Sequence, residues 1–547
     1  MSNIIITLDN GEKREFKKGI TLREVISELK YEDVLCGMFT GRIINYDDTI
    51  DKSGKLYLYD INTKQGNKIY EKGLLLLFEV SAKEVLGNDA EVIVRFSIDK
   101  GVFCEVDKKI TKEQLELIKR IMKDKVKKSI PFNKIETSRL EAIEYFKKLK
   151  RFDKVKTLTY DTASYVKLYC FDGYYEYILG DLPYDSSILK YFDLTLIEDK
   201  GVVVRFPSIY DNKKIIKYTH HDNYFNSLLD YTNWGNIIKI NNLGDLNEMI
   251  INNNAGEIIN LSEVIQDYKL LSIAEQIVLN KDNIKIVLLS GPSSSGKTTT
   301  ARKISLYLKT LGLNPVPLSI DDYFVNRVDT PLDENGNYDF ECLQAVDLKL
   351  FDLQVAKLLK NQEVITPTFD FITGVKVFNK KMKLGKNDIL VIEGLHALND
   401  KILDNIPRKN KFKIYVSPLT YLNIDNDNKI SMTDIRLLRR LVRDKRTRGY
   451  APEVTLKNWH SVRKGEEKWV FPYQDNADVL FNSSLSYELS VLKTYAEPLL
   501  FSVKESDPEY QTAIRLLELL NFVLPMPTED IPKVSILREF IGGGYFE

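Results

Sequence analysis

Histidine is nearly missing from this chain: four occur in 547 residues, and none precedes His220. The N-terminal part therefore lacks both the commonest neutral metal ligand and the side chain best suited to proton transfer near pH 7. Cysteine is as sparse. Cys36, Cys104, Cys170 and Cys342 lie far apart with no C-x-x-C pair, which argues against a zinc site or a disulfide framework and for the reduced thiols of a cytoplasmic protein. Neither sign of charge is in excess, since Lys+Arg and Asp+Glu each total 78, so only local basic patches could attract a polyanion. The first residues, MSNIIITLDNGEKREF, lack the apolar core of a secretory signal. No apolar run reaches the ~18 residues of a membrane span, so no membrane partner is expected.

What is present is ordinary globular composition, 44% hydrophobic and 29% charged, over a length that calls for several domains. The most informative stretch is Gly291-Pro292-Ser293-Ser294-Ser295-Gly296-Lys297-Thr298, a match to the phosphate-binding pattern G-x-x-x-x-G-K-[ST]. It follows the apolar run Ile284–Leu289, which reads as a buried strand. It precedes Thr299–Leu311, whose Ala301, Ile304, Leu308 and Leu311 recur at helical spacing. Backbone N–H groups at such a loop and helix start favour phosphate oxygens. Gly291 to Thr299 are the expected ATP-binding residues, with Lys297 on the β- and γ-phosphates and Thr298 on Mg²⁺.

Residues 1–61 open with a strand, Ile4–Leu8, a turn at Asp9-Asn10-Gly11 and a returning strand. Thr21 and Glu24 form a capping box for a helix, and strand-like runs follow at Gly41–Ile44 and Leu56–Tyr59. This order resembles the TGS domain, a ubiquitin-like β-grasp module used for docking and, in some families, for RNA contact. Residues 62–205 continue with a helical run at Gly73–Leu86, strands at Glu91–Phe96 and Gly101–Glu105, and a long helix capped by Thr111 and Gln114. With Ser138-Arg139-Leu140-Glu141-Ala142 and Lys190-Tyr191-Phe192-Asp193-Leu194, this part looks like the α+β second domain of threonyl-tRNA synthetases, which edits mischarged tRNA in bacteria. Editing needs H-x-x-x-H and C-x-G-P-H. No histidine is available, and Ile178-Leu179-Gly180-Asp181-Leu182 stands where the second motif should be, so a scaffold without hydrolytic chemistry is expected. Residues 206–280 are polar and Asn-rich, with a helix over Leu261–Leu279, and read as a connector packing on the next domain. His220-His221 reads there as a surface pair.

Residues 281–547 form the third domain, an α/β P-loop fold with a mainly parallel sheet. Val316–Ile320 leads into Asp321-Asp322, and Asp388–Ile392 leads into Glu393, a Walker B arrangement with His396 as a structural neighbour. Two readings of Asp321-Asp322 stay open on residues alone: a general base with a metal-ordering partner, or a helix cap. Arg436, Arg439, Arg440 and Arg443 share one helical face, which suits a clamp on a phosphoryl group, a solvated basic helix or an RNA-binding patch.

Taken together, GPSSSGKTT, LSIDDYF, YDFECLQAVD, PTFDFITG, VIEGLHAL, DIRLLRRLVRD and FPYQDNADVLFNSSL resemble the uridine kinase and phosphoribulokinase family. The resemblance implies Asp321 as the base taking the 5′-hydroxyl proton, Asp339 on the ribose hydroxyls, and Phe369 and Phe371 around the base with Tyr323 beside them. It implies Glu393 as the Walker B acid for Mg²⁺, and Arg436, Arg439 and Arg443 as lid arginines, with Arg446 and Arg448 nearby. Gly374 replaces the family's base-reading histidine and Phe324 its tyrosine, so two polar readers of the nucleoside are absent. The expectation is a cytoplasmic, homo-oligomeric, ATP- and Mg²⁺-dependent kinase of a small hydroxyl acceptor, most simply uridine or a related nucleoside. Its rival is an RNA-associated ATPase or regulatory binding protein that uses the synthetase-like half.

Overall fold

The hairpin expected at Asp9-Asn10-Gly11 forms, with Ile4 opposite Phe16 and Ile6 opposite Arg14. Alternation along Asn3–Leu8 buries Ile4, Ile6 and Leu8 on one face. Thr21 and Glu24 make the capping box of the helix Leu22–Leu29, which buries Leu22, Val25 and Ile26. The sheet runs in the order Lys13–Lys17, Asn3–Leu8, Gly54–Tyr59, Cys36–Phe39, Arg42–Ile44, with Asn3–Leu8 and Gly54–Tyr59 parallel. The computed structural model describes residues 3–99, 101–197, 200–334, 336–370 and 373–547.

Next come a four-stranded antiparallel sheet (Asp193–Ile197, Gly201–Arg205, Gly101–Val106, Val92–Ile98) and a three-stranded one (Asn133–Ser138, Tyr165–Phe171, Tyr174–Glu176). The helix expected from Gly73 starts earlier and spans Lys64–Leu86, capped by Thr63. Gly66 and Gly73 lie inside this helix, where their role is close packing. A Cβ would meet the Asp60 carbonyl oxygen at 1.9 Å from Gly66 and Pro183 at 2.6 Å from Gly73.

Contacts divide the chain into two units. The first holds residues 1–220, 240–245 and 421–429, and the second holds 221–239, 246–420 and 430–547. In the first, Tyr421–Lys429 is seated by a buried charge network. Lys154 donates to Asp425 at 2.8 Å and to the Tyr177 carbonyl at 2.8 Å, and lies 2.8 Å from Asp427. Arg151 pairs with Asp427 at 2.6 Å and with Glu176 at 2.9 Å. Glu79, Glu176 and Asp427 gather closely, as do Asp153, Asp425 and Asp427. Lys154 and Arg151 offset part of this charge and pair with acids of both segments, which makes this a lock between chain segments. Asn428 accepts from the Leu179 N–H at 2.8 Å, so the stretch aligned with C-x-G-P-H is covered by chain from far along the sequence.

In the second unit, the helices Asp222–Ile238 and Ala255–Leu279 belong with the P-loop domain, the latter starting six residues before the expected Leu261. The sheet is wholly parallel, in the order Asn314–Ser319, Asp388–Glu393, Ile286–Ser290, Lys411–Ser417, Val479–Asn482. Chain order reverses about the central strand Ile286–Ser290, which creates a crevice at the carboxyl ends of the strands.

Candidate active site around the phosphate-binding loop

Three strand ends deliver the site. Ile286–Ser290 enters the loop, Asn314–Ser319 enters the turn bearing Asp321, and Asp388–Glu393 ends on its acid. Register puts Glu393 opposite both Leu289 and Ser319, and Ser319 Oγ donates to Glu393 Oε1 at 3.1 Å. The same hydroxyl accepts from the Asp321 N–H at 3.3 Å, so one serine links both acids. The helix Lys297–Thr310 starts at Gly296, whose φ of +82° is open to glycine at no steric cost. Ser294 also has positive φ, +59°. Thr298 is exposed on the first turn, and Lys297 Nζ donates to the Pro292 carbonyl at 3.1 Å.

The electrostatics of the site are those of crowded acids around one lysine. Burial raises the Asp321 carboxyl, Lys297 opposes the shift and Asp322 adds to it. Burial and the Asp321 charge push Glu393 up to about 7, against Lys297 and the Ser319 hydrogen bond. Glu341 also reaches about 7 through burial, with Arg440 and Lys297 opposing and Glu466 and Asp321 adding. Hydroxyl and carboxylate oxygens are the donors a Mg²⁺ ion takes, so Thr298, Glu393 and the adjoining acids fit that ion chemically.

Glu341 is the site residue the sequence reading missed. Asp339, expected on the acceptor, accepts from the Glu341 N–H at 3.1 Å, and its own N–H donates to the Pro331 carbonyl at 2.7 Å. It shapes a turn, and the turn sends Glu341, two residues on, toward Lys297 and Arg440. Tyr323 turns away from the expected base pocket. It is buried, its hydroxyl donates to Gln354 at 2.7 Å, and Phe351 packs edge-on at 4.9 Å. Phe369 is buried against Phe324 at 5.6 Å, and its N–H donates to Asp322 at 3.3 Å. Phe371 lies outside the described residues. Gly374 has φ +73°, and a Cβ there would fall 2.7 Å from Arg327, whose N–H donates to the Gly374 carbonyl. A histidine is thus disfavoured twice, by backbone and by the arginine above it.

The arginine helix Met432–Arg448 does two jobs. Arg436 and Arg439 are buried behind the loop and hold it, which corrects their expected place on a phosphoryl-facing lid. Every polar group of Ser293 is engaged. Its N–H donates to Glu466 at 2.7 Å, its carbonyl accepts from Arg436 at 3.0 Å, and its hydroxyl accepts from Arg440 at 2.7 Å. Arg436 also pairs with Glu466, which is buried on the helix Pro452–Trp469. Arg439 pairs with Glu488 at 2.6 Å and reaches the Ser483 and Ser294 carbonyls. Arg443 is half-buried and paired with Asp444, while Arg448 is among the charges lowering Asp321. Burial of His396 beside Trp469 lowers its imidazole to about 4, which fits a structural neutral ring.

Comparison with known proteins adds four findings. The family described as Phosphoribulokinase / Uridine kinase matches residues 286–489. A uridine kinase from Borrelia duttonii is 31% identical over 225 residues, 39% of this chain and 95% of that one. A threonine–tRNA ligase from Desulforamulus reducens is 30% identical over 161 residues, 28% of this chain, and the chain spans only 25% of that protein's length. A solved structure described as a possible uridine kinase from Bacillus stearothermophilus is similar over 39% of this chain and 100% of its own, at 19% identity and a TM-score of 0.28.

Proposed function

From its membership in the phosphoribulokinase/uridine kinase family, we propose that this chain transfers the γ-phosphate of ATP to a hydroxyl of a small molecule, most simply the 5′-hydroxyl of uridine or a related nucleoside. The observation that carries the reading is that Ser319 links Asp321 and Glu393 at adjoining strand ends beside a P-loop, with Glu341 and Lys297 within electrostatic reach. A phosphate loop alone needs no buried base, whereas phosphoryl transfer to an alcohol does.

Asp321 accepts the acceptor's hydroxyl proton, and its raised affinity for protons suits that task. Glu341 takes the place assigned by resemblance to Asp339 and binds neighbouring hydroxyls of the acceptor. Lys297 turns from the Pro292 carbonyl to the β- and γ-phosphates, and Arg440, Arg443 and Arg448 offset the charge of the migrating group. A Mg²⁺ ion held with the nucleotide by Thr298 and Glu393 would neutralise phosphate charge. Buried Arg436 and Arg439 keep the loop in shape throughout.

The test is phosphoryl transfer from ATP over a panel of nucleosides and sugar derivatives. One acceptor class is turned over, Asp321→Asn lowers kcat by about 10²–10⁴-fold, and Glu341→Gln raises the acceptor KM while Asp339→Asn changes it little. An absence of turnover on every hydroxyl acceptor sinks the reading.

A further inference from the structure

The family match ends at residue 489, yet the chain continues through the helices Glu488–Phe501 and Tyr510–Asn521 into a short C-terminal segment. That segment is docked firmly. Ile531, Ile536, Leu537 and Phe540 are all buried. Its place of docking is the phosphate loop itself. Ile536 packs so closely on Gly296 that a Cβ on the glycine would fall 2.6 Å from its methyl group. The Phe540 ring lies 4.9 Å from the Arg439 guanidinium. Arg446, at the end of the arginine helix, donates to the Glu539 carbonyl at 3.0 Å and the Phe540 carbonyl at 3.3 Å, and pairs with Glu547 at 2.6 Å.

These contacts bring the Glu539 carboxylate onto the loop. Its Oε2 accepts from the Thr299 N–H at 3.1 Å. Thr299 is the third residue of the helix that begins at Lys297, so its N–H is one of the donors a helix start leaves unpaired. In a phosphate loop those donors are the anion's ligands. Among the described residues no lysine or arginine pairs with the Glu539 carboxylate, and its negative charge is felt at Glu393. An acid set among acids, with a phosphate-binding amide as its partner, imitates a phosphate.

We propose that the C-terminal segment is an intramolecular occupant of the nucleotide site, with Glu539 holding the Thr299 amide that a nucleotide phosphate takes. Tail docking at that amide and nucleotide binding exclude each other. Arrival of a nucleoside triphosphate drives Arg538–Ile541 off the loop, and the docked tail lowers the apparent affinity for nucleotide by the fraction of molecules in which it is seated. This inference rests on the loop binding a nucleotide, as the proposed function requires.

The experiment titrates the full chain, Glu539→Ala and Glu539→Gln with a fluorescent non-hydrolysable ATP analogue and Mg²⁺. It also follows amide hydrogen exchange over residues 531–547. Losing a carboxylate that competes through one charge-assisted hydrogen bond makes the analogue bind about tenfold tighter in Glu539→Ala. Glu539→Gln, which keeps a carbonyl acceptor, falls between. In the unmodified chain the analogue raises exchange at residues 538–541, a readout that needs no variant to fold. If the unmodified chain binds the analogue, the Glu539 variants bind it equally or more weakly, and exchange in the tail stays protected, then the tail is a fixed wall of the site and this inference alone falls. If neither the unmodified chain nor the variants bind, the nucleotide reading falls with it.

Discussion

Glu341 and Glu393 hold protons near neutrality because burial among like charges disfavours their ionised forms, and this has a measurable consequence for stability. Both rise from an ordinary 4.5 to about 7 in the folded chain. The folded state therefore binds protons that the unfolded chain has released. The stabilisation they contribute is complete below about pH 4.5 and is lost as pH rises through about 7. Without nucleotide, the thermal midpoint of the second unit should fall between pH 5 and pH 8, and Glu341→Gln with Glu393→Gln should flatten that fall. The three tryptophans, Trp234, Trp459 and Trp469, all lie in this unit, so their fluorescence follows it alone. A profile that rises or stays level over that range rules the coupling out. Activity moves the opposite way, since Asp321 must be deprotonated to accept a proton: kcat/KM rises with pH until that raised carboxyl has ionised.

At the scale of elements, the P-loop is held by neighbours that are not part of its motif. Glu466 accepts from Ser293 and neutralises Arg436, and both charges are buried. Glu466→Ala leaves Arg436 buried without its counter-charge, a loss of about 3–5 kcal/mol. The lower denaturant midpoint should appear in tryptophan fluorescence, since Trp459 lies 5.1 Å from the Arg436 guanidinium. An unchanged midpoint would mean that the clamp contributes nothing. This layer of the site shows how far sequence reasoning reached. The strand, loop and helix around Gly291–Thr298 were legible because phosphate binding fixes glycine spacing and hydrophobic periodicity fixes the flanks. Asp321 and Glu393 were legible because they sit at strand ends. Asp339 and Glu341 differ by two positions in one turn, and only the fold says that Glu341 lies within electrostatic reach of Lys297. Six arginines in one helix announce a basic face, but whether each points at substrate or at backbone depends on Glu466, Glu488 and Ser483, which come from later in the chain. Gly374 read as a lost histidine. In the structure it is also a position with positive φ that makes room for Arg327.

For the whole molecule, the synthetase-like part was legible as elements but not as an assembly. Capping boxes at Thr21 and Thr111 are local signals and both form, and the structure adds a third at Ser138. The lock on Tyr421–Lys429 is not local, for Lys154 and Asp425 are 271 positions apart. Lys154 is fully buried among Asp425, Asp427 and Glu176, so Lys154→Met strands that negative charge. A loss of about 3–5 kcal/mol is expected in the first unit. That unit has no tryptophan, so far-UV circular dichroism against urea is the appropriate readout. A midpoint equal to that of the unmodified chain would show the network to be dispensable.

That same stretch bears on how such a protein could be made or unmade by gene rearrangement. A cassette beginning near residue 281 looks like a portable enzyme, since the family pattern starts there. Yet Tyr421, Leu422 and Ile424 lie in its middle and are buried with the first unit. Cut loose, the cassette would carry these side chains without the unit they are grouped with, and what remained would keep Lys154 and Arg151 without Asp425 and Asp427. Recombination can join these two parts at one crossover, but it cannot separate them again with one.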